Sequence, residues 1–161
     1  MGMSVGVVYD SALEGYTTYL ENEVPEMIDH LRSLDLVVGF NNKRFDNQVL
    51  SAYSQFDLYK IPTIDILEEV YKRLSYRLSL DRLAEHTLGT HKTSDGLQAL
   101  QWYKEGNITE IVTYCKKDVE LTKNLFLHEL EHGYLLFKNK AGALVRLPLK
   151  LDMVVLERTE R

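Results

Sequence analysis

Between Asn107 and Gly133 the chain runs without an internal Pro or Gly, and apolar or small residues recur at Ile111, Cys115, Val119, Thr122, Phe126 and Leu130. Steps of four and three place these positions on one face of an α-helix. Upstream the pattern changes to short apolar runs. Ser4–Tyr9 reads as a strand, and Gly15–Leu20, rich in aromatic and β-branched residues, reads as its partner across a turn at Ser11–Gly15. Glu23–Ser33 predicts an amphipathic helix with Pro25 in its first turn and Met27, Ile28 and Leu31 inward. Asp35–Phe40 is a continuous apolar run, the pattern of a strand buried on both faces.

Asn41–Leu50 opens a helix through Phe45, Val49 and Leu50, Ile61–Ile66 is a further strand, and Leu67–Leu74 is helical. Ser79 resembles an N-cap, with Leu80, Leu83 and Ala84 behind it and Leu88-Gly89 at the end. His91–Gly96 is a polar loop, and Leu97–Glu105 a short helix stopped by Gly106. Residues 134–150 form a closing β-hairpin, Tyr134–Phe137 against Leu144–Leu147. Strands come first and helices dominate later, which predicts an α/β or α+β domain with helices on a mixed sheet. No repeat or linker divides residues 1–161, so one domain is expected.

Composition narrows this little. Hydrophobic content of 45% and charged content of 27% are those of a soluble globular chain, without a membrane span or signal peptide. Cys115 is the single cysteine, which excludes an internal disulfide and fits a reducing cytoplasm. A net charge of −5 argues against broad electrostatic binding of nucleic acid. It leaves a nuclease open, because metal ions neutralise an acidic site and basic residues can cluster locally.

Two stretches carry candidate chemistry. Tyr114 and Asp118 stand four apart, one above the other beside the apolar stripe of the long helix. A carboxylate there is costly without a partner, and a metal ion would serve as one. Asn41-Asn42-Lys43-Arg44-Phe45-Asp46 follows the Asp35–Phe40 run, at the strand ends where α/β folds place ligands. The plain alternative makes Asn41 and Asp46 loop and cap residues.

Taken together, Asn-x-x-x-Phe-Asp after an apolar strand and Tyr-x-x-x-Asp on a late helix resemble the second and third motifs of the DEDD 3′–5′ exonucleases, in the Tyr subclass. The stretch from Ser79 through Ser94-Asp95-Gly96 to Asp118 is similar to a bacterial group of such domains found beside helicases. The resemblance covers roughly Val5 to Gly133 and implies a ribonuclease-H-like fold. It also implies phosphodiester hydrolysis at a single-stranded 3′ end of DNA or RNA with two Mg²⁺ or Mn²⁺ ions. By that resemblance Asp118 and Asp46 hold metal and Tyr114 orients the attacking water. Asn41, Lys43 and Arg44 meet the substrate, and a helicase is an implied partner.

The family's first motif, Asp-x-Glu on the first strand, is not found. Ser4–Tyr9 matches the second strand better, and Asp10 and Glu14 read as polar residues of a hairpin. The expected sheet therefore lacks its usual first strand, and its open edge invites pairing with another copy of the chain. A fragment, a start placed too far downstream and a non-catalytic nucleic-acid-binding or helicase-associated module all stay open.

A competing pattern is His128-Glu129-Leu130-Glu131-His132, the His-Glu-x-x-His of zinc peptidases, with Glu129 as base and Glu157 as a distant third ligand. The alternative is a charged, solvated helix end before Gly133. His128 lies about 15 Å along the helix from Asp118, so the two sites are separate. Asp65 reads as a helix cap or an accessory acid, Cys115 as core, and Trp102-Tyr103 as packing of a short helix or a stacking platform.

Overall fold

The structure is a computed structural model that describes residues 5–41, 61–90, 101 and 104–159. A hairpin comes first. Strand β1, Val5–Asp10, pairs antiparallel with β2, Gly15–Leu20, with Val8 opposite Thr17 and Tyr9 opposite Tyr16. The period of two gives each face its own role. Val8, Tyr19 and Asp10 turn toward helix α1, Val24–Arg32, where Val24, Met27 and Ile28 are buried. Tyr9 and Tyr16 pack edge to face at 5.0 Å on the opposite face. There Lys116 and Lys123 of the long helix cover their rings, 4.9 Å from Tyr16 and 4.2 Å from Tyr9. The hairpin is thus held between two helices, one by apolar contact and one partly by cations on aromatic rings.

A partly buried polar chain ties the hairpin to α1. His30 Nε2 donates to Asp10 Oδ2 at 2.8 Å, and in the neutral ring the Tyr19 hydroxyl donates to Nδ1 at 2.7 Å. Asp10 Oδ1 also accepts from the Ala12 amide in the turn. The His30 hydrogen bond, then that amide, hold the Asp10 carboxyl below its usual value. A lowered acid stabilises the fold above its unfolded pKa and loses that stabilisation as pH falls through the lowered one. Asp10→Asn is therefore expected to be less stable than the parent in urea at neutral pH, with the gap closing in acid. A gap that stays constant down to pH 2 would remove the carboxylate from the explanation.

Strand β3, Val37–Gly39, lies parallel to β4, Thr63–Asp65, with Val38 opposite Ile64. β3 separates two apolar clusters. Val37 joins the α1 cluster, whereas Leu36, Val38 and Phe40 face the larger one. The apolar run thus meets hydrophobic partners on both faces, yet Val37 and Val38 are half-buried rather than sealed. Among the described residues β3 pairs only with β4 and β1 only with β2, so each has one edge without a partner in that set.

Helix α2, Ile66–Leu74, leaves β4 directly, and α3, Leu80–Leu88, starts at Ser79, whose hydroxyl accepts from the Arg82 amide as expected. Helix α4, Ile108–His132, runs between the Asn107 and Gly133 caps. It packs against β1, β3 and α3. Its buried side drifts from the expected stripe. Ile111 and Thr122 are inside, but Leu125 and Glu129 replace Phe126 and Leu130, and Leu130 is 39% exposed. The closing hairpin is β5, Leu135–Lys138, with β6, Leu144–Leu147. Thr87 of α3 clamps its edge, the hydroxyl donating to Leu136 O and accepting from Leu136 N. The last helix, α5, Leu151–Thr159, has no counterpart in the sequence reading.

Antiparallel and parallel pairing with flanking helices bear out the mixed α/β class, although the described strands form three two-stranded sheets. The main core gathers Ile64, Val70, Leu83, Leu125, Phe137 and Leu151 from six elements. The expected helix over 42–50, the loop over 91–96, and most of the helix over 97–105 with Trp102 and Tyr103 lie outside the described residues.

Candidate functional site

Asn41 sits two residues beyond β3 and adopts a left-handed backbone, φ 62°, which Asn tolerates better than most residues. Its amide donates to Asp65 Oδ1 at 2.7 Å, and Arg77 reaches its side-chain oxygen at 3.5 Å. Asp65 is 4% exposed and N-caps α2, accepting from Leu67 and Glu68 amides through the same oxygen. Of its two expected roles the cap is the one observed. Asp65 thereby joins the ends of β3 and β4, and so places Asn41. Asp65→Ala removes three amide partners at once and is expected to lower stability by about 2–3 kcal/mol. A thermal midpoint within 2 °C of the parent would contradict that (about 2–4 °C per kcal/mol at this size).

Tyr114 and Asp118 occupy successive turns of α4, both half-buried. The Asp118 carboxylate receives no hydrogen bond or ion pair among the described residues. Burial, and then the Asp81 carboxylate of α3, push its pKa up to about 6. Asp81 was invisible as a partner in the sequence because it lies on a different helix. Asp46, Lys43 and Arg44 fall outside the described residues. Tyr114 and Asp118 are thus together on one helix, that helix packs on β3, which leads to Asn41, and the remaining expected residues lie outside the described ones.

This half of the site suits a divalent cation. A half-buried acid without an ion-pair partner among the described residues and beside another acid is stabilised by an ion that takes up its charge. Among the described residues, however, no group of three or more His, Cys, Asp and Glu side chains is arranged to hold a metal.

The scan of protein families matches residues 3–128 to the RNase_H_2 family, described as RNase H superfamily. The chain belongs to the RNase H superfamily. No curated protein and no solved structure matches it. Membership agrees with the mixed strand pairing and flanking helices, and it places this RNase H-like chain among nucleic-acid-acting, nuclease-like domains. No helix among the described residues is long and apolar enough to cross a membrane.

The zinc-peptidase pattern fails in this RNase H-like chain for a structural reason. Glu129 is 1% exposed, and its two oxygens accept from the amides of Leu149 and Leu151, each at 3.0 Å. It caps the start of α5 with both oxygens engaged and is closed off from solvent, where a base would have to meet water or substrate. Glu157 is exposed and lies 3.9 Å from Arg158. The solvated-end alternative also misses this residue, since Glu129 is the most deeply buried charge in its neighbourhood. A pattern of charged residues in sequence cannot reveal that a later helix closes over one of them.

Proposed function

We propose that this chain is a metal-dependent 3′–5′ exonuclease-like domain of the Tyr subclass, acting on a single-stranded 3′ end of DNA or RNA. The observation that carries the reading is Asp118, a half-buried carboxylate with no hydrogen bond or ion pair among the described residues, one turn from Tyr114 on the helix that packs against β3, the strand that leads to Asn41. In this reading Asp118, with Asp46, holds Mg²⁺ or Mn²⁺. The ions would supply charge stabilisation to the attacking and leaving oxygens of the phosphodiester. Tyr114 orients the attacking water through its hydroxyl. Asn41, Lys43 and Arg44 position the substrate backbone, which fixes register without reading bases.

Asp46 and Asp118 bring only two negative charges to two dications, and no Asp-x-Glu on a strand adds more. Cleavage by the 161-residue chain is therefore expected to be weak. The test is release of nucleotides from a 3′-labelled single strand with Mg²⁺ or Mn²⁺. It compares this chain with a version carrying an added strand with Asp-x-Glu ahead of Ser4. Such a strand offers backbone partners to the edges of β1 and β3 that have none among the described residues, so activity and thermal midpoint should rise together. Retention of the oligonucleotide without cleavage by either form would favour a non-catalytic binding module. Cleavage that survives Asp118→Asn would put the site elsewhere. Helicase association and self-pairing through the open edge remain part of this proposal, and size measurement with and without the added strand tests the second.

A further inference from the structure

The residues left over from the zinc-peptidase pattern still have an arrangement of their own. The imidazoles of His128 and His132 lie with ring centres 4.4 Å apart and their planes tilted by 39°. They share one side of the last turns of α4, where the negative end of the helix dipole favours a cation. His128 Nδ1 lies 3.0 Å from the carbonyl oxygen of Tyr134. A carbonyl only accepts, so Nδ1 carries the proton and Nε2 presents its lone pair. This is the outer-sphere bond that typically orients a metal-bound histidine. Tyr134 also contacts both rings, with centres at 5.9 and 6.4 Å, and restricts their rotation. Glu131 brings a carboxylate to 3.9 Å from His132 Nε2. Arg146 is held on the ring of Tyr134, 4.7 Å from its centre.

We propose that His128 and His132 form a two-histidine binding site for a transition-metal dication of the zinc class, separate from the Asp118 region and without peptidase activity. Two imidazoles on one tetrahedral ion at about 2.1 Å have ring centres roughly 5 Å apart, so a small side-chain rotation converts the observed pair into a chelate. Water completes the coordination. Imidazole donors select Zn²⁺, Ni²⁺ or Cu²⁺ over Mg²⁺. Glu129 stays with α5, so the site binds metal without supplying a base.

The test is calorimetric titration of Zn²⁺ into the tag-free chain in an Asp118→Asn background, which removes the nuclease carboxylate from the measurement. One equivalent is expected to bind and to raise the thermal midpoint. Binding should weaken on the order of tenfold or more in His132→Ala, an exposed substitution that leaves the core intact. With Cu²⁺ instead, electron paramagnetic resonance should show coupling to two imidazole nitrogens. Equal zinc binding by His132→Ala, absence of zinc binding, or coupling to fewer than two nitrogens would overturn the proposal.

Discussion

Asp118→Asn is expected to make the metal-free protein more stable at pH 7.5 while removing metal-dependent cleavage. The folded-state pKa of Asp118 is pushed up to about 6 from 3.8. The folded chain therefore binds a proton more tightly than the unfolded chain. Between these two values stability falls as pH rises, and above pH 6 the penalty is fully present. The whole shift corresponds to about 3 kcal/mol. Partial solvent access reduces that to about 1–2 kcal/mol. The Asn variant escapes the penalty, so its thermal midpoint should lie about 3–6 °C above the parent at pH 7.5. The difference should vanish below about pH 4, where both side chains are neutral. Mg²⁺ or Mn²⁺ should narrow the gap by stabilising only the parent. In the form with an added Asp-x-Glu strand, the same substitution should cut cleavage on the order of 100-fold or more. A lower midpoint for Asp118→Asn at neutral pH, with no response of either protein to the ions, would refute the assignment of this carboxylate to a metal.

Glu129→Ala should have the opposite effect and a larger one. Leu149 and Leu151 are 2% and 0% exposed, and their amides lose the acceptors they have among the described residues when the carboxylate goes. Each orphaned buried amide costs about 1–3 kcal/mol. With the cavity left by the side chain, the loss is about 3–5 kcal/mol, a large part of a typical domain's stability. α5 should detach first, because its start hangs on this clip. Protease cleavage after Lys150 should therefore appear in the variant at temperatures where the parent resists. Glu129→Gln keeps one acceptor oxygen and should lie between the two. If both variants melt within 2 °C of the parent, the clip carries no such energy. Loss of a peptidase activity in Glu129→Gln at unchanged stability would restore the zinc-peptidase reading.

The α4 helix, the opening hairpin and the closing hairpin were legible in the sequence because each rests on local information. Asn107 and Gly133 cap α4, strand alternation sets the faces of β1 and β2, and Lys138–Gly142 turns the chain between β5 and β6. The Tyr114 and Asp118 pair was legible for the same reason, since a separation of four in a helix fixes their relation. α5 was not. Its apolar residues wrap around it, with Met153 and Leu156 at 59% and 61% exposure and Leu151 buried, so no stripe marks it.

The sequence by itself determined the class of fold, the caps and the one-helix geometry of Tyr114 with Asp118. Tertiary structure alone decided which polar groups are spent on the fold. It turned Glu129 inward to hold α5, set His30 between Asp10 and Tyr19, and joined Asp65 to Asn41. It also set Asp118 beside Asp81, with no hydrogen bond or ion pair among the described residues. The physical reason is common to all four. The cost of burying a charge depends on which groups approach it from distant parts of the chain, and spacing along a sequence does not contain those approaches.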